Sequence, residues 1–141
     1  MKLTLLASLL AFSCNTATVH QPIDLTLTTD GGFSGRGLGS VTIRGDSITA
    51  GTIGSESCTD TLADDEREQL GSVAGKASLE EWRSDYAPAG NPHGSADQVR
   101  YTLTLNGRQV TWTDEAESSL PPALASLRKL AWKLRESACR K

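Results

Sequence analysis

Val99-Arg100-Tyr101-Thr102-Leu103-Thr104-Leu105-Asn106-Gly107-Arg108-Gln109-Val110-Thr111-Trp112-Thr113 is the stretch that decides the fold. Val99, Tyr101, Leu103 and Leu105 alternate with Arg100, Thr102 and Thr104, the period of a strand with one buried face. Asn106-Gly107 separates this run from a second one. That pair favours a two-residue hairpin turn, because both central residues take positive φ. In the resulting register Leu103 faces Val110 and Tyr101 faces Trp112, so turn and apolar face agree.

Upstream, residues 87–97 are rich in Pro, Gly, Asn and Ser and read as a surface loop. Before them Leu70, Val73, Ala74 and Ala77 fall on one helical face with acidic side chains early, where the helix dipole favours them. Asp60 or Thr61 is the expected cap, and Thr61 with Asp64 resembles a capping box. The helix is expected to fade between Lys76 and Glu81. Gly51 to Thr59 reads as a loop of small residues. Nearer the start, Ile23, Leu25 and Leu27 alternate with Asp24, Thr26 and Thr28, and Val41-Thr42-Ile43-Arg44 repeats the pattern. After a Gly45-Asp46 turn signal, Ser47 to Ala50 is an optional third strand. Downstream, Pro121-Pro122 suits a first helical turn. Leu120, Leu124, Leu127, Ala131 and Leu134 form one stripe, while Arg128, Lys129, Lys133 and Arg135 crowd the far end. The order predicts an α+β domain, β-β-(β)-α-β-β-α, with an antiparallel sheet and two helices packed on one face.

Residues 1–13 carry a different signal. Lys2 precedes the apolar run Leu3 to Phe12, and small residues Ala11 and Ser13 stand just before Cys14. The run is too short to span a bilayer and suits a cleaved signal peptide. Cleavage before Cys14 fits general signal peptidase, and it also fits a lipoprotein box in which Cys14 becomes acylated. Either route leaves residues 14–22 as a tether and residues 23–141 as a single domain. The chain has 141 residues and 3 cysteines, enough for one core and an odd thiol that needs a reason. With Cys14 set aside, Cys58 and Cys139 remain either as a disulfide in an oxidising compartment or as two unrelated thiols. The net charge of −3, without a basic stripe, argues against a nucleic-acid partner.

Catalytic chemistry finds little to work with. His20 lies in the tether and His93 in the Pro/Gly loop, neither with a carboxylate or thiol at metal-ligand spacing. No Gly-x-Ser-x-Gly elbow occurs. Asp64-Asp65 and Glu80-Glu81 read as solvated helix or helix-end faces, not as acid–base pairs. Asp30 to Gly39 holds five glycines, yet strand continues after it where a phosphate loop would enter a helix. No enzyme activity, metal or cofactor is expected. The glycine stretch reads instead as an unusual hairpin tip around Phe33. The chain's other phenylalanine, Phe12, lies in the leader. An aromatic on a protruding loop serves binding, or it folds back over the core end; the pattern leaves both open.

Taken together, these residues resemble the emfourin family, proteinaceous inhibitors of protealysin, a thermolysin-like metalloprotease. Gly31-Gly32-Phe33-Ser34-Gly35 stands where the family has Gly-Gly-Phe-Ala-Gly. A helix with Leu70, Val73 and Ala74 follows, then a loop to Asp97, the Tyr101 to Leu105 strand, Val110, and Pro121 or Pro122 before Leu124, Leu127 and Leu134. The likeness covers Ile23 to Leu134. It implies a monomeric, exported inhibitor that occupies the cleft of a thermolysin-like zinc protease and itself needs no cofactor. The expected contact residues are Gly31, Gly32, Phe33, Ser34, Gly35, Arg36 and Leu38. Such proteases favour a bulky apolar side chain just after the scissile bond. Phe33 or Leu38 would fill that pocket, with Arg36 reaching an acidic rim. The chain departs from the family in its export signal, in Cys58 and Cys139, and in an insert from Gly45 to Ser57. The alternative is a non-inhibitory exported or lipid-anchored protein-binding domain. The implied location is periplasmic, extracellular or, through a lipid on Cys14, the outer envelope, with no other membrane contact.

Overall fold

The Asn106-Gly107 hairpin forms in the register its sequence demands. A computed structural model describes residues 21–33, 35–51, 54, 56–86, 97–138 and 140. The expected leader and Cys14, together with His20, Ser34, His93 and Cys139, lie outside the described residues. In the hairpin, Leu103 pairs with Val110 and Tyr101 with Trp112. Asn106 and Gly107 take φ of 49° and 85°, the positive pair that a tight hairpin turn with right-handed strand twist requires. The Tyr101 and Trp112 rings stack at 5.3 Å between centroids.

The other strands add to this pair. In chain order they are β1 (Asp24–Gly31), β2 (Ser40–Arg44), β3 (Ser47–Gly51), β4 (Cys58–Thr61), β5 (Asp85–Tyr86), β6 (Val99–Leu105) and β7 (Arg108–Thr113). Helix α1 (Asp64–Leu79) follows β4, and a 3-10 segment (Asp114–Ser119) leads into α2 (Pro122–Ala138). The sheet runs β4-β3-β2-β1-β6-β7-β5. All neighbours are antiparallel except β5 and β7, which are parallel. The class is α+β.

One sheet face is apolar and the other is hydroxylic. Leu25, Leu27, Val41, Ile43, Ile48, Ala50, Leu103, Val110 and Trp112 are buried on the first. There α2 lies across β2, β3 and β4, and α1 packs against α2. Leu124, Leu127, Leu130, Ala131 and Leu134 of α2 and Leu70, Ala74 and Ala77 of α1 complete one core. Each fully buried Leu or Ile stabilises the fold by about 1.5–3 kcal/mol. An exposed pair such as Arg44–Asp24, at 4.0 Å, contributes under about 1 kcal/mol. The sheet–helix contact therefore holds the molecule together. On the open face Thr59, Thr49, Thr42, Thr26 and Thr104 fall in one row across the strands, β-branched side chains suited to a half-covered pleat.

The expected order β-β-(β)-α-β-β-α needs correction at two places. The segment ending at Cys58 is not all loop, because Cys58–Thr61 pairs with β3 as an edge strand. Its side chains are only partly covered on either face, so it leaves no apolar period in the sequence. Thr61 therefore belongs to a strand and not to a cap. The helix N-cap is Ala63, whose N–H donates to the Glu66 carboxylate at 2.9 Å. Asp85–Tyr86 is also a strand, defined by pairing with β7 and by the bonds of Ser84 O and Asp85 Oδ1 to Thr111. Two residues carry no periodicity.

Glu80 is likewise more than a solvated acid. Its carboxylate oxygens accept from the Ala123 and Leu124 N–H groups at 2.8 and 2.9 Å. An acid from the end of α1 thus caps the first turn of α2, where unpaired N–H groups and the dipole both favour negative charge. Arg108 fixes that corner by donating to Glu80 O at 3.0 Å while lying 4.3 Å over the Trp82 ring.

Candidate functional site

The connection from β1 to β2 projects at one rim of the sheet, and Phe33 is at its summit. The ring is 98% exposed, the opposite of what burial of an apolar ring favours. Leu38, on the returning side, is 46% exposed. The alternative of a ring folded over the core end is thereby removed.

The loop is held from three directions. From β1, the Thr29 hydroxyl accepts from Leu38 N and Gly39 N at 2.7 and 2.9 Å and donates to Gly39 O at 2.7 Å. From the residue just before β6, Gln98 O accepts from Gly32 N at 2.8 Å. From α2, Arg135 Nη2 donates to Leu38 O at 3.2 Å and to Gly51 O at 3.0 Å, with Nε reaching Gly51 O at 3.2 Å. The guanidinium also sits 4.6 Å over the Trp132 ring, a cation–π contact that fixes its plane.

Within the loop, Gly35 N donates to Gly32 O and Gly37 N to Gly31 O. Gly37 is buried with φ +70°, and a Cβ there would collide with the Thr29 carbonyl. Only glycine allows that approach. A shallow depression of about 390 Å³ adjoins the loop, lined by Thr28, Arg36, Ser40, Gly51 and Gly54. Arg36 is exposed on this rim, and Asp30 pairs across the strands with Arg100.

Gly31, Gly32, Phe33, Gly35, Arg36 and Leu38 are thus gathered on one projecting loop, while Ser34 lies outside the described residues. Thr29, Gln98 and Arg135 were not among the expected contact residues. Arg135 carried only a helix-end signal, a cation near the C-terminus of an amphipathic stripe. Cys58 is disulfide-bonded; its expected partner Cys139 is outside the described residues.

Elsewhere, a groove of about 800 Å³ lies at the opposite rim, between α1 and the turns at Gly45 and Asn106. Its principal cation, Arg67, is engaged by Asp46 at 2.8 Å and Asp64 at 3.2 Å. Among the described residues no three His, Cys, Asp or Glu side chains are grouped to hold a metal ion, and no helix is long and apolar enough to cross a membrane. No protein-family model, curated protein or solved structure matches the chain. The resemblance to emfourin-type inhibitors accordingly stands on the residues quoted above.

Proposed function

We propose that this protein is an exported inhibitor of a thermolysin-like zinc metalloprotease, working without catalysis or cofactor by seating Phe33 in the apolar pocket of the protease cleft. The observation that carries this reading is the 98% exposure of Phe33 on a loop whose backbone is tied to β1, to Gln98 at the entry to β6, and to α2. A pre-ordered loop loses little entropy on binding, and an isolated aromatic on such a loop has the character of an interface anchor. Leu38 and Arg36 flank it, as an apolar second contact and a cation for an acidic rim.

Titration of the purified mature protein against thermolysin tests the reading. Inhibition at stoichiometric or near-stoichiometric ratios is expected, and Phe33→Ala is expected to weaken it by about 2 kcal/mol or more, roughly thirty-fold. Undiminished inhibition by Phe33→Ala would remove the tip from the mechanism. A wild-type protein that leaves turnover untouched would be a binding domain instead.

A further inference from the structure

An inhibitor that places a peptide loop in a protease cleft faces hydrolysis of that loop. Proteases act on chains they can lay out extended, with main-chain N–H and C=O groups free to pair along the cleft. The Phe33 loop is bound up otherwise. Gly32 N, Gly35 N and Gly37 N donate to Gln98 O, Gly32 O and Gly31 O at 2.8, 3.0 and 2.9 Å. Leu38 N and Gly39 N are taken by Thr29 Oγ1, and Leu38 O by Arg135. Beyond the end of β1, Gly32, Gly35, Gly37 and Gly39 have φ between 67° and 118°, outside the range of regular extended strand. The bond that precedes Phe33 is the one such a protease would choose. Presenting it as substrate requires the Gly32 N–Gln98 O and Gly35 N–Gly32 O bonds to break, while the Leu38 and Gly39 bonds hold the returning side of the same loop.

We infer that Thr29 and Arg135 form a latch that keeps the Gly32–Phe33 bond out of the extended geometry, so that the protease binds the Phe33 side chain without cutting the chain. They are positioning residues, acting through the loop backbone, and the inference rests on the inhibitor reading above. Once the latch opens, the protease adds water across the Gly32–Phe33 amide. Gly32 leaves as a new carboxylate and Phe33 becomes a new amino terminus.

The experiment incubates the mature protein and its Thr29→Val, Arg135→Ala and Arg135→Lys variants with thermolysin. Denatured mass and residual protease activity are followed over time, with circular dichroism confirming each fold. Wild type is expected to stay whole and keep inhibiting. Thr29→Val and Arg135→Ala are expected to yield two fragments meeting between Gly32 and Phe33, at least about ten-fold faster than wild type, with inhibition fading in step. Arg135→Lys, which retains a donor toward Leu38 O or Gly51 O, is expected to recover part of the resistance. Folded variants that remain as intact as wild type would overturn the latch.

Amide hydrogen exchange of wild type supplies a check that needs no variant: Gly37, Leu38 and Gly39 should exchange at least about ten-fold more slowly than free peptide. Free-peptide rates there would also overturn it. Wild type that fails to slow thermolysin sinks the inhibitor reading, while cutting confined to the variants at Gly32–Phe33 would still support the latch.

Discussion

At Gly37 the loop comes so near its own scaffold that one methyl group decides its shape. A Cβ there meets the Thr29 carbonyl at a backbone conformation, φ +70°, that L side chains resist. Gly37→Ala is therefore expected to lower stability by at least about 1 kcal/mol, read as a lower urea midpoint with an unchanged slope. Inhibition should fall further than the lost stability alone explains. The Gly31-Gly32-Phe33 cluster was legible in sequence, because an aromatic framed by glycines breaks the polar habit of turns. Thr29 and Arg135 were not. Their bonds to the loop join residues up to 97 positions apart, and no local pattern encodes a side chain that acts on a distant carbonyl.

Helix α2 begins at Pro122 against a carboxylate brought from another helix. Glu80→Ala is expected to cost about 1–2 kcal/mol, since Ala123 N and Leu124 N lose their acceptor. Glu80→Gln, which keeps one acceptor oxygen, should recover part of that loss. Thermal unfolding of the two variants measures both. The elements read correctly were β1, β2, β6, β7 and the two helical stripes, and Ser47 to Ala50, expected as an optional strand, forms β3. In each, burial of one face imposes period two or 3.6 on the sequence. The edge strands β4 and β5 escaped for the converse reason. β4 has no fully buried side chain and β5 is two residues long, so backbone pairing defines them and side-chain burial leaves almost no trace. The Thr61 cap failed with β4, since a residue still hydrogen-bonded in a strand cannot begin a helix.

For the molecule as a whole, the Cys58 disulfide ties an edge strand whose own contacts are sparse. Cys58→Ser, or reduction, is expected to remove up to about 4–5 kcal/mol, the chain-entropy allowance for a long closed loop. Peptide mapping by mass with and without reductant would identify the partner among the 3 cysteines, and intact mass would fix the mature start and any acyl group on Cys14. The fold class could be read because a sheet with a single apolar face must be covered by another layer, and the two helical stripes at Leu70 to Ala77 and Leu120 to Leu134 supply it. The site's exposure could not, because a sequence marks Phe33 as unusual without saying which way it points. Gln21 lies beside the Gly45 and Asn106 turns, the chain enters the sheet at Asp24, and β1 then spans eight residues before Phe33, roughly 27 Å at strand rise. Entry point and ring therefore sit at opposite poles. Immobilisation through Gln21, on a bead or a fused carrier, would therefore attach the molecule at the pole away from Phe33 and should leave that ring accessible.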